Sequence, residues 1–341
     1  MKKLICIALC LVIVLSFCSC GFTIMMSPKV YESPGEDALT MGCEVAFIGN
    51  ELFYRTPGFY SAEIYKTDGK GSRNRIESEY KFNCSIGYMQ SVGETLYFTG
   101  TDDDNTYFFS YDTNSKKTQS LGSVKGLEQR WCRYDNKFYY IKYSKEESED
   151  YNLYCFDSET NTDSLIGKNV LSLNVDGGSL LWVEKSGFDH TVYKLKDGSD
   201  KEKLYTYTYA LGDYLSIRIS ESAMFITGSG YGSKLILFDT GKEYTYPVCI
   251  HDAVISEDSV YYITYYTKKT DGGFSYEYGN LYVRKFSELD ATLIKEKIGT
   301  SSFDGTLPGG GALLRRLKDL TPAYTELYSV YGTDMKSLAK Y

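Results

Sequence analysis

Ile48-Gly49-Asn50-Glu51-Leu52-Phe53-Tyr54 and Val92-Gly93-Glu94-Thr95-Leu96-Tyr97-Phe98 are one phrase written twice: an apolar residue, a tight polar turn, then an apolar-aromatic run. Looser copies are Tyr134-Asp135-Asn136-Lys137 before Phe138, Val175-Asp176-Gly177-Gly178 before Leu180, Ile219-Ser220-Glu221-Ser222 before Met224, and Ile255-Ser256-Glu257-Asp258 before Val260. A second phrase follows the first in each unit and ends on a turn-closing Asp. It reads Ile64-Tyr65-Lys66-Thr67-Asp68, Phe108-Phe109-Ser110-Tyr111-Asp112, Leu153-Tyr154-Cys155-Phe156-Asp157 and Leu235-Ile236-Leu237-Phe238-Asp239. Weaker copies begin at Val192, Leu281 and Leu327. Two phrases recurring in fixed order at about 44 residues are the signature of a repeat architecture.

The units run over 43–78, 84–122, 129–167, 170–206, 214–248, 250–298 and 302–341. Each is rich in Tyr, Val, Ile, Phe and Thr, residues suited to pleated, half-buried surfaces, and Tyr alone occurs 34 times. Four strands in meander order fit each unit; in the second they are expected at 87–92, 95–100, 107–112 and 116–121. The expected fold is therefore all-β: one β-propeller domain over 43–341, of seven four-stranded antiparallel blades. Six or eight blades follow if the seventh unit, with Gly309-Gly310-Gly311, or the segment before residue 43 is misjudged. A parallel solenoid fits less well, because its repeats are shorter and do not need four strands with three tight turns.

The N-terminus supplies an address. Lys2 and Lys3 precede an uncharged apolar stretch from Leu4 to Phe17, which is too short to span a bilayer as a helix and reads as a signal-peptide core. Phe17-Cys18-Ser19-Cys20-Gly21 resembles a bacterial lipobox, with Ser19 at the small position and Phe17 in place of the usual Leu. The resemblance implies lipidation at Cys20, removal of the leader within residues 1–20, and a cell-membrane, lipid-anchored, extracytoplasmic location. Residues 21–42 contain Ser27-Pro28 and Ser33-Pro34-Gly35 without sustained alternation, and are expected to form a flexible tether.

The formal net charge of −8 argues against nucleic acid as a partner, since phosphate binding needs clustered Lys and Arg. Cys43, Cys84, Cys132, Cys155 and Cys249 follow Cys20; their odd number and lack of a CxxC or Cys/His cluster suggest buried structural thiols. The chain has two histidines, His190 and His251, and shows no GxSxG, HExxH, P-loop or dinucleotide fingerprint. Asp102-Asp103-Asp104-Asn105 lacks the Gly and downstream Glu of an EF-hand loop and reads as a solvated hairpin tip. Ser302-Phe303-Asp304-Gly305-Thr306 lacks the Asp-box spacing of sialidase-like propellers. No catalytic, metal or cofactor-binding residue is therefore assigned.

Leu52-Phe53-Tyr54 followed by Ile64-Tyr65-Lys66-Thr67-Asp68-Gly69 resembles the "apolar-Tyr-Tyr … Leu-Tyr-Arg-x-Asp-Gly" repeats of bacterial surface lipoproteins with low-density-lipoprotein-receptor-like or TolB-like β-propellers. The likeness extends over most of 43–341. It implies a propeller of six or seven blades at the cell surface and carries no catalytic residues with it.

The expected function is a non-catalytic scaffold or capture module for a protein or glycan; the alternative is a carbohydrate-active propeller, a glycoside hydrolase or lyase, with paired carboxylates at the channel. In a meander, loops between strands two and three share one face. Those loops carry Phe59, Tyr60, Phe188, His190, Tyr231, Phe274, Tyr276 and Tyr278, which are the candidate ligand contacts. One prediction follows from the leader alone. Cys20→Ser is expected to convert a detergent-phase, lipid-bearing protein into an unprocessed or released one, as read by detergent partition and palmitate labelling; retained lipid would mean that Cys20 is not the modified residue.

Overall fold

A computed structural model describes residues 29–30, 32–34, 39, 41–55, 63–68, 73–76, 85–102, 104–126, 128–144, 150–196, 200–208, 216–227, 232–246, 250–264, 266–270, 273–277, 279–288, 290–299, 301–318 and 324–341. A short strand, β1 (Lys29–Val30), precedes seven meanders. Blade 1 is β2 (Val45–Ile48), β3 (Glu51–Arg55), β4 (Ile64–Thr67) and β5 (Asn74–Arg75); blade 2 is β6 (Ser85–Val92), β7 (Thr95–Thr101), β8 (Asn105–Asp112) and β9 (Lys117–Lys125). Blade 3 is β10 (Glu128–Tyr134), β11 (Lys137–Ser144), β12 (Asp150–Asp157) and β13 (Thr162–Gly167); blade 4 is β14 (Val170–Asp176), β15 (Ser179–Ser186), β16 (Asp189–Leu195) and β17 (Glu202–Thr208). Blade 5 is β18 (Ser216–Ile219), β19 (Ala223–Thr227), β20 (Ser233–Leu237) and β21 (Glu243–Tyr246). Blade 6 is β22 (Ile250–Ser256), β23 (Ser259–Thr264), β26 (Leu281–Lys285) and β27 (Thr292–Lys295), interrupted by the hairpin β24 (Tyr266–Thr270) and β25 (Gly273–Glu277). Blade 7 is β28 (Ser301–Leu307), β29 (Gly311–Lys318), β30 (Tyr324–Tyr331) and β31 (Asp334–Lys340). The protein is a seven-bladed β-propeller, as the repeats predict.

Burial changes systematically across each blade. The second strand is an unbroken apolar run in several blades: Ala223–Thr227 and Ser259–Thr264 are buried at every position. Such a strand is covered on both faces, whereas one half-exposed to water would alternate. Outer fourth strands are mostly solvated, as in Thr162–Gly167 and Thr292–Lys295. The cover comes from neighbouring blades. Phe53, Ile64 and Ala46 of blade 1 pack on Met89, Leu96 and Phe98 of blade 2. Phe108 and Val124 of blade 2 meet Trp131, Phe138 and Phe156 of blade 3. Cys132, Leu153 and Cys155 meet Leu173, Leu180 and Trp182 of blade 4. Equivalent clusters fill the seams between blades 4 and 5, 5 and 6, and 6 and 7. The ring closes where Val45, Phe47, Leu52 and Tyr54 of blade 1 pack on Leu307, Leu313, Leu327 and Leu338 of blade 7.

Turn chemistry matches the meander. Asp135 and Asn136 both have positive φ (47° and 60°), as do Gly177 and Gly178 (56° and 74°), the type I′ geometry whose twist suits a two-residue hairpin. Asp112 Oδ1 accepts from Ser115 N at 2.6 Å, and Asp157 Oδ1 accepts from Glu159 N at 2.9 Å and Thr160 N at 3.3 Å, so both repeat-ending aspartates hold their own turns. Asp102 does the same at the tip between β7 and β8, accepting from Asp104 N at 2.9 Å and Asn105 N at 2.6 Å. Cys43, Cys132 and Cys155 are buried free thiols.

Two expectations need correction. The segment 21–42 is not wholly a tether: Lys29 and Val30 pair with Lys340 and Ala339, adding a fifth strand to blade 7, and Leu39 is buried in the seam between blades 7 and 1. Just before β2, Gly42 N donates to Trp131 O of blade 3 at 2.9 Å. The long connection in blade 6, expected as a loop, is in its described part a hairpin in which Tyr266 pairs with Glu277 and Thr270 with Gly273.

The seams predict where stability resides. Trp182 is fully buried, stacks on Tyr193 at 5.7 Å and donates from Nε1 to Glu184 Oε1 at 2.8 Å. Trp182→Ala is expected to cost about 3–5 kcal/mol in urea unfolding, through lost packing and a residual cavity. A loss below about 1 kcal/mol would contradict this seam packing.

Candidate functional site

The first strands of neighbouring blades stand against one another, β2 on β6, β14 on β18 and β22 on β28, and together they surround the central channel. The channel holds a cavity of about 280 Å³ whose wall includes Glu44, Arg130, Arg218, Asp252, Asp304 and Arg315. Arg130, Arg218 and Asp252 are each the third residue of a first strand, Asp304 is the fourth, and Glu44 immediately precedes β2. Because first strands begin where fourth strands hand over, these side chains lie toward the face shared with the two-three loops.

Most of these charges are fastened to a partner from another blade. Arg218 Nη2 donates to Asp252 Oδ1 at 2.9 Å and its Nε to Ala253 O at 3.1 Å; Asp252 Oδ2 accepts from Phe303 N at 2.9 Å. One carboxylate thus ties blades 5, 6 and 7. Arg315 pairs with Glu44 across the seam between blades 7 and 1, and Glu44 also accepts from Arg55 Nη2 at 2.8 Å. Arg315 Nε lies 3.1 Å from Asp304 Oδ1 but off hydrogen-bond alignment, and Asp304 Oδ2 is buried without a hydrogen bond among the described residues. The Cys43 thiol donates to Asp304 O at 2.8 Å, and burial, then the nearby Asp304 charge, push its pKa well up.

Asp304 is the strained acid of this group. Burial raises its pKa to about 7, with Glu44 and Asp252 adding to the rise and Arg315 opposing it. Arg130 differs from the other channel arginines: among the described residues its side chain makes no hydrogen bond and no ion pair.

The two-three face carries exposed aromatics. Between β15 and β16 the turn is Gly187-Phe188, with Gly187 at φ 61° and Ser186 opposite Asp189, and Phe188 is 62% exposed. Tyr151, at the start of β12 on the adjacent blade, is 43% exposed. Sequence reasoning passed over Tyr151 because it stands inside a strand.

Phe274 and Tyr276 lie in β25, while Phe59, Tyr60, Tyr231 and Tyr278 lie outside the described residues. His190 needs correction as a loop residue and surface contact. It is the second residue of β16 and only 2% exposed; the Phe188 and Tyr207 carbonyls lie beside its ring outside hydrogen-bond geometry. Burial, and then the Lys185 charge, hold its pKa below the usual histidine value. The two-three connection of blade 4 has only two residues. The channel residues Arg130, Arg218, Asp252 and Arg315 were not singled out from sequence. The one available signal was a charge recurring early in the apolar first strand.

No family model matches the chain, and no curated protein matches it. Solved structures do. The β-propeller domain of the Trilobed protease from Pyrococcus furiosus, described as having an open velcro topology, is 13% identical with a TM-score of 0.56, over 88% of this chain and 98% of that one. A prolyl endopeptidase is 13% identical with a TM-score of 0.58, over 89% of this chain and 50% of that one. The acylaminoacyl peptidase of Pyrococcus horikoshii is 15% identical with a TM-score of 0.54, over 87% and 52%. The chain therefore spans about half the length of these two peptidases, and the likeness is one of fold: the class is the β-propeller.

Asp304 predicts a pH dependence. Its folded pKa of about 7 stands above the ordinary value of about 3.9, so between those limits the native state holds more proton than the unfolded state. Stability from this group is therefore lost as pH rises from about 4 to about 7 and is level beyond, with a slope of at most about 1.4 kcal/mol per pH unit. Asp304→Asn is expected to remove that component, so that wild type loses ground to the variant in urea unfolding between pH 5 and pH 8. A pH-independent difference would contradict the assignment.

Proposed function

We propose that the protein is a lipid-anchored, extracytoplasmic β-propeller that captures a protein or glycan partner on its two-three face and acts without catalysis. The observation that carries this reading is Phe188, 62% exposed at the apex of a two-residue hairpin turn. Such a turn needs the positive φ of Gly187 but needs no large apolar residue after it. Tyr151 on the neighbouring blade extends the aromatic surface, and strand β25 of the blade 6 hairpin contains Phe274 and Tyr276. Aromatic side chains held on a rigid scaffold supply stacking and anchor contacts at low entropic cost.

Anchoring rests on the lipobox-like Phe17-Cys18-Ser19-Cys20-Gly21 and on the resemblance of the repeats to those of surface lipoproteins. The peptidases that share the fold do not carry their chemistry to this chain.

The test is a screen of the full-length protein against glycans, peptidoglycan fragments and envelope proteins, repeated with Phe188→Ala and Tyr151→Ala combined. The double variant is expected to lose affinity for the identified partner at least tenfold while keeping its melting temperature. Undiminished affinity would remove this face as the binding surface.

A further inference from the structure

Among the described residues, Arg130 stands in the channel wall with no counter-charge in contact. The cavity wall carries three arginines (Arg130, Arg218 and Arg315) and three carboxylates (Glu44, Asp252 and Asp304). The carboxylates are taken: Asp252 by Arg218, and Glu44 and Asp304 by Arg315, with Arg55 also on Glu44. The formal charges of the wall balance, and the imbalance is local: the carboxylates contact Arg218 and Arg315 and leave Arg130 without one.

The unpaired charge is costly where it stands. Burial, and then the proximity of Arg218, lower the pKa of Arg130 to about 10, which still leaves a guanidinium that does not discharge at neutral pH. A buried charge is ordinarily paired, and one held unpaired beside a like charge is ground-state destabilisation that a ligand of opposite sign relieves.

The surroundings select the ligand. A guanidinium fork matches a carboxylate through two parallel hydrogen bonds. One unpaired guanidinium is matched by a monoanion, whereas a dianion would be repelled more strongly by Glu44 and Asp252 nearby. The apolar share of the wall comes from Leu173, Ile219, Val254 and Phe303, and a volume of about 280 Å³ sits at the small end of ligand sites, which run from roughly 300 to 1,000 Å³. We infer that the channel is a binding site for a small monocarboxylate with a short apolar tail, its carboxylate paired with Arg130 and attracted at longer range by Arg218. This deepens the binding role proposed above by giving the same face a second, chemically defined ligand.

Titration calorimetry on the full-length protein tests it, with butyrate as probe and butyramide and inorganic phosphate as controls. Butyrate is expected to bind one to one, with butyramide and phosphate at least tenfold weaker. Arg130→Gln is expected to lose butyrate affinity at least tenfold while melting no lower than wild type, because it removes an uncompensated buried charge. Arg130→Lys, which keeps the charge and loses the fork, should fall between the two. Equal binding of butyrate and butyramide, equal or tighter binding of phosphate, no binding of butyrate by wild type, or full butyrate affinity in Arg130→Gln would each overturn the inference. So would a melting temperature of Arg130→Gln below wild type, which would give Arg130 a structural partner. Phe188→Ala leaves the channel intact and should keep butyrate affinity. Partner capture with no butyrate binding therefore sinks only this inference, and the reverse sinks only the surface reading.

Discussion

No blade of this protein can bury its own inner strands. A four-stranded sheet such as β18–β21 has apolar side chains on both faces, with Phe225 and Leu235 turned toward blade 6 and Met224 and Ile226 toward blade 4. Only a neighbour on each side removes both faces from water, and burial of that apolar surface is the dominant favourable contribution to folding. The requirement is met all round only if the ring closes. The seam between blades 7 and 1 is therefore the joint on which the other six depend, and it is fastened in several ways. It has an apolar cluster with Leu39 inserted, the Arg315–Glu44 ion pair, Tyr341 packed on Tyr54 at 4.9 Å, and β1 paired on the outer edge of blade 7.

Ring closure also creates the channel and gathers its charges. First strands converge on one axis, so residues far apart in sequence meet there, as Glu44 and Arg315 do across a separation of 271 positions. Polar ties between blades follow the same plan. Asn174 Nδ2 donates to Ile219 O at 2.7 Å, Arg133 N donates to Gln90 Oε1 at 2.7 Å, and Asp252 links three blades. These contacts orient the blades and, among the described residues, leave the Arg130 side chain without an ion-pair partner.

The strands and their count were legible because they are written locally. Each unit repeats an alternation, a tight turn and an Asp-closed turn. The second unit, expected at 87–92, 95–100, 107–112 and 116–121, is observed at Ser85–Val92, Thr95–Thr101, Asn105–Asp112 and Lys117–Lys125. β1 was not legible, because a two-residue strand in a proline-containing segment has no period to detect. The β24–β25 hairpin did leave a signal, Asp271-Gly272 between two strand-like runs, that the length of the connection obscured. His190 was misplaced because its hairpin turn is only two residues long, so that a residue expected in a loop is already the second of a strand. The channel was least legible of all. Arg130, Arg218 and Asp252 read locally as charges within apolar strands, and only the closed ring shows that the side chain of one of the arginines has no ion-pair partner among the described residues.

Amide hydrogen exchange tests the closed ring most directly, because protection reports how each strand opens. If the seam between blades 7 and 1 is as closed as the others, β2 and β28 exchange as slowly as β14 and β18, and the fourth strands exchange faster in every blade. Exchange of β2 and β28 at the rate of the outer strands, with β14 and β18 still protected, would contradict a closed seven-bladed ring.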